Sequence, residues 1–272
     1  MRRGLLAAAL LVTGCGEPPP PAARALTIFL ASSLLEASAD LTSGFLQTDS
    51  TVGLLLNVAG SPRLVTALER GAPGGVLVTA DRRWMDYAVE RGLVGAPRAL
   101  ASAPLVAVTS TRPEVLAVVQ SPVNLATPGV DIALAGPDVP LGRYARAWLA
   151  QLATVEGYGD DFAERVELGS LEPAQAAEEV LARLRAGEAD AAIIYRPALL
   201  TDTTGTFREL RLPLAPPVAT WYVAAVASAP DTALAHAFIA HLLSEAGQAT
   251  LARHGFLPPA DSAGGSPVIL GD

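Results

Sequence analysis

Three short stretches of this chain carry hydroxyls where backbone amides are left without partners. Ala31-Ser32-Ser33-Leu34 and Ala59-Gly60-Ser61 each follow an apolar, strand-like run and open a helix-like one, and Tyr195 ends the run Ile193-Ile194. The first amides of an α-helix have no acceptor inside the helix, and the helix dipole adds partial positive charge at the same end. A serine there either caps its own helix or joins the amides in binding a small anion. Gly60 would let the backbone approach such a ligand closely. The chemistry on offer is hydrogen-bond donation to an oxyanion.

The surrounding elements must aim these groups at one place. Leu26–Leu30 and Val52–Val58 read as strands. The segments after them carry apolar residues at Leu34, Leu35, Leu41 and Phe45, and at Leu64, Val65 and Leu68, close to helical spacing. Two such units with matched turns predict neighbouring parallel strands with both turns at the carboxyl edge, where open α/β sheets bind ligands. Further on, Gly136-Pro137-Asp138-Val139-Pro140-Leu141-Gly142 follows a strand and starts a helix. Pro140 suits the first helical turn and leaves the amides of Leu141 and Gly142 free. Another helix is expected to begin near Glu172-Pro173-Ala174-Gln175-Ala176-Ala177, again with unpaired amides at its start.

The remaining strand candidates are Val76–Thr79, Leu105–Thr109, Ile132–Ala135, Ala191–Tyr195 and Tyr222–Ala227. Helical patterns cover Arg82–Arg91, Leu141–Leu152, Pro173–Ala186, Asp231–Leu243 and Glu245–His254. This alternation is the α/β signature. The runs at Leu105–Val108 and Tyr222–Val226 bracket a stretch of ordinary domain size and would serve as crossing hinge strands with a ligand cleft between lobes. The expected division is lobe one at 26–104 and 222–272, and lobe two at 105–221.

Composition narrows the class. The chain has 272 residues, 51% hydrophobic and 17% charged, enough for a buried core. Its net charge of −8 argues against a nucleic-acid partner, which needs a basic face. Arg2 and Arg3 precede the apolar run Leu5–Val12, the order of an export signal at 1–14, too short to span a bilayer. Val12-Thr13-Gly14-Cys15 resembles the bacterial lipobox, which implies lipidation of Cys15. The Pro18–Pro21 run in 15–25 would act as a stiff tether. Cys15 is the single Cys, so no disulfide forms within the chain, and the spacing of His236, His241 and His254 suits no zinc motif. A serine hydrolase using Ser33 or Ser61 would need a nearby base, yet all three His lie near the C-terminus and no Gly-x-Ser-x-Gly elbow surrounds either serine. The helix bearing Glu178, Glu179, Arg183 and Arg185 reads as a solvated face, and Trp84 and Trp148 as packing residues.

Taken in order, Leu26–Leu34, Asn57–Leu64, Gly71–Asp81, Trp84-Met85-Asp86, Gly136–Tyr144, Gly187–Tyr195 and Arg253–Phe256 resemble the molybdate-binding proteins of ATP-binding-cassette importers over nearly all of Leu26–Pro258. The resemblance implies a type 2 periplasmic-binding fold, two α/β lobes joined by crossing strands. It also implies oxyanion contacts from Ser33 and Ser61 in lobe one, and from the amides of Leu141 and Ala177 and the hydroxyl of Tyr195 in lobe two. The implied ligand is molybdate or tungstate, with no cofactor, no catalytic residue and no bound metal cation. The implied partners are a membrane permease with its ATPase. A monomer that is exported and lipid-anchored is expected, with another small oxyanion such as sulfate as the alternative cargo. One departure is Gly75, where the family usually has Asp, a change that bears on the flexibility of a loop at the cleft edge.

Overall fold

The computed structural model describes residues 24–203 and 205–259. The expected export segment, Cys15, the tether as far as residue 23 and the tail from 260 lie outside the described residues. The first strand, β1 (Arg24–Ala31), starts inside the span expected to be tether.

Strict alternation builds the first half of the sheet. β1 lies between β2 (Val52–Ala59) and β3 (Val76–Thr79), parallel to both. Along β1, Leu26, Ile28 and Leu30 enter one hydrophobic cluster, while Phe29 enters another on the opposite face. β3 does the same with Val76 and Val78 against Leu77. A period of two on a strand sends neighbours to opposite faces. One face is covered by α1 (Leu35–Leu46), α9 (Thr232–Leu243) and α10 (Glu245–Arg253), through residues such as Leu41, Phe45, Phe238 and Leu251. The other is covered by α2 (Ser61–Glu69) and α3 (Arg82–Glu90), through Leu64, Val65, Leu68, Met85 and Ala88. Each such side chain removed from water contributes about 1.5–3 kcal/mol.

The sheet runs β2-β1-β3-β8-β4-β6-β5, with β7 also on β4. β4 (Arg98–Ser110) changes partners midway. Its residues up to Pro104 pair with β8 (Val218–Ala225), and those from Leu105 pair with β6 (Ala191–Tyr195) or β7 (Phe207–Leu210). The second half is completed by β5 (Ile132–Ala133) and by α4 (Pro113–Val118), α5 (Pro140–Leu152), α6 (Phe162–Leu168), α7 (Ala177–Arg185) and α8 (Arg196–Leu200). The molecule is thus two α/β lobes that share the strands β4 and β8.

Where observation differs from the expected elements, the reasons are local. β4 starts at Arg98 rather than Leu105, because Ala99, Ala101 and Ala103 have little intrinsic strand preference and are held by pairing with β8. β7, α4, α6 and α8 are too short to display a period. α7 begins at Ala177, not at Pro173. Ala174 bridges to Ala135 as extended chain, and the Gln175 amide is taken by the Glu179 carboxylate at 2.7 Å. The Gly75 loop is pinned rather than loose: its amide donates to the Thr27 carbonyl at 2.8 Å, and its own carbonyl accepts from Val226 at 2.9 Å. A side chain at 75 would press on the end of the buried Leu26 side chain, which would have to shift.

Candidate functional site

Four helix starts and one strand end converge between the lobes. Ser32–Leu34 forms a single 3-10 turn after β1, and α2 opens at Ser61 behind Gly60. From the other lobe, α5 opens at Pro140 and α7 at Ala177, while Tyr195 closes β6 and precedes α8. Ser33, Ser61, Leu141, Ala177 and Tyr195, all expected from the sequence, line one small cavity together with Ser32, Gly60 and Ala80. The free space there is about 10 Å³, room for roughly one water. The lobes are closed on each other. A larger cavity of about 440 Å³ adjoins it and shares Ser32, Ser33, Leu141, Ala177 and Tyr195.

The hydrogen bonds at this site have one polarity. Ser61 Oγ accepts from the Ala80 amide at 3.1 Å, and Ser33 Oγ accepts from the Trp221 indole N–H at 2.9 Å. Ser32 Oγ accepts from the Ala177 amide at 3.2 Å, joining the lobes. Each hydroxyl has one proton and two acceptor lone pairs. Among the described residues none of these protons is given to a protein acceptor. The Tyr195 hydroxyl is buried and has no partner at all among them. Burial, and then the neighbouring Tyr144 and Asp81, push the Tyr195 pKa well above its ordinary value, so the phenol stays protonated.

Charge lies beside the site rather than in it. Asp81, fully buried at the start of α3, accepts from the Trp84 amide at 3.0 Å and pairs with Arg143 of α5 at 2.9 Å. Burial works against the Arg143 charge, and the hydrogen bond and ion pair with Asp81 outweigh it, raising its pKa. Tyr144 is pushed up to about 12, by burial first and Asp81 second. The Trp84 indole donates to the Asp138 carbonyl at 2.7 Å, so this tryptophan is only half-buried and fastens α3 to the other lobe. Trp148 is a core residue. The face of α7 expected to be solvated is only partly so: Arg183 pairs with Glu179 at 2.6 Å in a part-buried position, Glu178 Oε2 is buried, and Arg185 reaches across to Glu36 at 3.3 Å.

Sequence reading missed Ser32, Asp81, Arg143 and Trp221 as members of this constellation. Asp81 was marked by its place between a strand and a helix, the usual position of a capping carboxylate. Ser32 lay in the marked turn beside Ser33 without being singled out, and nothing local marks Arg143 or Trp221, because their partners lie in distant segments. His254, which lines the adjoining cavity, is held by Asp40 at 2.9 Å, and neither Ser33 nor Ser61 has a histidine partner. Among the described residues no group of three His, Cys, Asp or Glu side chains comes close enough to hold a metal ion.

Two closing lobes with a donor-lined cleft define a solute receptor. The chain matches the bacterial extracellular solute-binding proteins over residues 26–257 and belongs to that family. The molybdate-binding protein ModA of Mycobacterium tuberculosis is 28% identical over 264 residues, covering 94% of this chain and 95% of its own. The substrate-binding domain of a putative molybdenum ABC transporter from Clostridium difficile superposes with a TM-score of 0.60 at 25% identity, covering 86% of this chain and 98% of its own. The sulfate-binding protein SubI of Mycobacterium tuberculosis superposes with a TM-score of 0.72 at 17% identity, over 88% of each chain. These likenesses establish the type 2 periplasmic-binding fold.

Proposed function

We propose that this protein captures molybdate, and tungstate as its near twin, in the interlobe cleft and delivers it to an ATP-binding-cassette permease. The observation that carries the reading is the Tyr195 hydroxyl, buried without an acceptor beside serines that accept but do not donate. A buried polar group left unpaired costs about 1–3 kcal/mol, so the site is built for a ligand that only accepts. The ModA relatives over nearly the whole chain support molybdate as that acceptor.

In this reading Ser33 and Ser61 donate their hydroxyl protons from lobe one, assigned to 26–104 and 222–272. Lobe two, 105–221, supplies the Leu141 and Ala177 amides and the Tyr195 hydroxyl. The partner switch of β4 at Pro104 and Leu105 supports the first of those boundaries. Ser32 keeps the Ala177 amide satisfied until an oxyanion takes its place. Each hydrogen bond to a charged group contributes about 1.5–3 kcal/mol, so a handful offsets the desolvation of a dianion without any countercharge. A site without fixed positive charge also releases its cargo when the permease pulls the lobes apart. The export signal, a lipid on Cys15 and the proline tether would hold a monomeric receptor at the outer face of the membrane, which fits the extracellular character of the family.

Sulfate is the second reading, favoured by the tight closure around the serines and by a sulfate receptor of the same fold. Titration calorimetry of the purified chain with molybdate, tungstate and sulfate separates them. Tight binding of the two larger oxyanions with sulfate far weaker is expected. No binding of either large oxyanion, or equal binding of sulfate, rejects the molybdate reading.

A further inference from the structure

We infer that Trp221 is a positioning residue of the cleft, setting the direction of the Ser33 hydroxyl proton and its distance from the Tyr195 phenol. The inference rests on the oxyanion reading.

Trp221 lies on β8, one of the strands shared by the lobes, and is completely buried. A buried indole N–H usually finds an acceptor, and here that acceptor is Ser33 Oγ at 2.9 Å, whereas the core residue Trp148 has none among the described residues. An indole N–H only donates, so it occupies a lone pair of the serine oxygen and turns the hydroxyl proton away from the indole. Ser33 stands at the cavity wall with no other partner for its hydroxyl among the described residues, so the proton is left for the cleft. Donation into the oxygen also polarises its O–H bond, strengthening what Ser33 gives to an anion.

The same side chain fixes the opposite wall. The Trp221 ring meets the Tyr195 ring edge-on, with centroids 4.8 Å apart and planes at 64°. Phe256 packs on the Trp221 ring as well, edge-on with centroids 5.1 Å apart and planes at 89°, so the indole sits in a three-ring cluster. Tyr195 belongs to the second lobe and Ser33 to the first, so one rigid ring system gauges the gap between two donors. Packing alone would explain the burial of Trp221. It would not require its only polar atom to end on a cleft hydroxyl.

The test is a double-mutant cycle on the full chain, read by calorimetry with sodium molybdate and sodium sulfate. Trp221→Phe keeps the aromatic packing and removes the N–H. It is expected to weaken molybdate binding about tenfold, in line with the loss of one oriented donor, and to narrow the preference over sulfate. In a Ser33→Ala background the same change is expected to cost no more than about twofold, because the hydroxyl it orients is gone. Wild-type affinity in Trp221→Phe, or losses that simply multiply in the double variant, overturns the assignment. Should Trp221→Phe fail to fold, indole N–H resonances of the unaltered chain decide the matter, assigned with Trp84→Phe and Trp148→Phe. Molybdate must shift the Trp221 signal, and an unmoved signal rejects the role. An unaltered chain that binds no oxyanion overturns the molybdate reading itself, whereas normal binding with an indifferent Trp221→Phe overturns only this assignment.

Discussion

Ser33, Ser61 and Tyr195 share a feature that matters more than their polarity: each has a proton to give and, among the described residues, no acceptor to receive it. Ser33→Ala and Ser61→Ala should each weaken molybdate binding at least about tenfold, and together abolish it, with the fold retained but the thermal midpoint lowered, because the Trp221 indole N–H and the Ala80 amide lose their acceptors; calorimetry beside a melting curve checks this. Because burial raises the Tyr195 pKa, its hydroxyl remains a donor throughout the neutral range. The binding constant should therefore stay flat from about pH 6 to about pH 9, and a fall in that window would contradict the donor role. Stability follows the same sign. Tyr144 and Tyr195 have folded pKa values above the unfolded value, so their contribution is full below about pH 10 and is lost as pH rises, for Tyr144 toward about 12. Denaturant midpoints should drop over that alkaline interval, and less so in Tyr144→Phe.

At the scale of elements, the turn between β2 and α2 decides how closely the lobes approach. Gly60 has φ −62° and ψ 144°, a conformation that alanine adopts freely. A methyl at 60 would nevertheless collide with the Gln175 carbonyl in the other lobe. Gly60→Ala should therefore leave the open protein as stable as before, or firmer by about 0.4–1 kcal/mol, while blocking closure. Small-angle scattering with saturating molybdate should show the variant failing to contract. Contraction equal to that of the unaltered chain would remove Gly60 from the closure contact. The start of α7 makes a related point. Only because chain 173–176 is extended and fastened to Ala135 and Glu179 does Ala177 become the first amide of the helix and face Ser32.

Across the whole molecule, closure is also held by contacts beside and beyond the serines. Arg143 to Asp81, the Trp84 indole to Asp138, and Arg185 to Glu36 each join one lobe to the other. Arg143 is about one-third exposed, so its pair is worth less than a fully buried one, though Asp81 is left buried and unpaired without it. Arg143→Met should speed release of bound molybdate about fivefold in stopped-flow mixing, while the association rate changes less. An unchanged release rate would mean that the pair does not latch the closed form.

The α/β class and the strand and helix order were legible in the chain itself, and the family resemblance pointed to Ser33, Ser61, Leu141, Ala177 and Tyr195, which the fold gathers around one small cavity. Hydrophobic period and turn chemistry are local signals that a few consecutive residues carry. β7, the first half of β4 and the start of α7 were not legible, since pairing with distant strands overrides weak local preference there. The same limit applied inside the site. Sequence named donors, but which proton each donor holds free depends on Trp221, Ala80 and Ala177, partners drawn from segments far apart in the chain. A hydroxyl can accept or donate until its neighbours are in place, so the polarity that makes this cleft a receptor for anions was decided only when the tertiary structure assembled them.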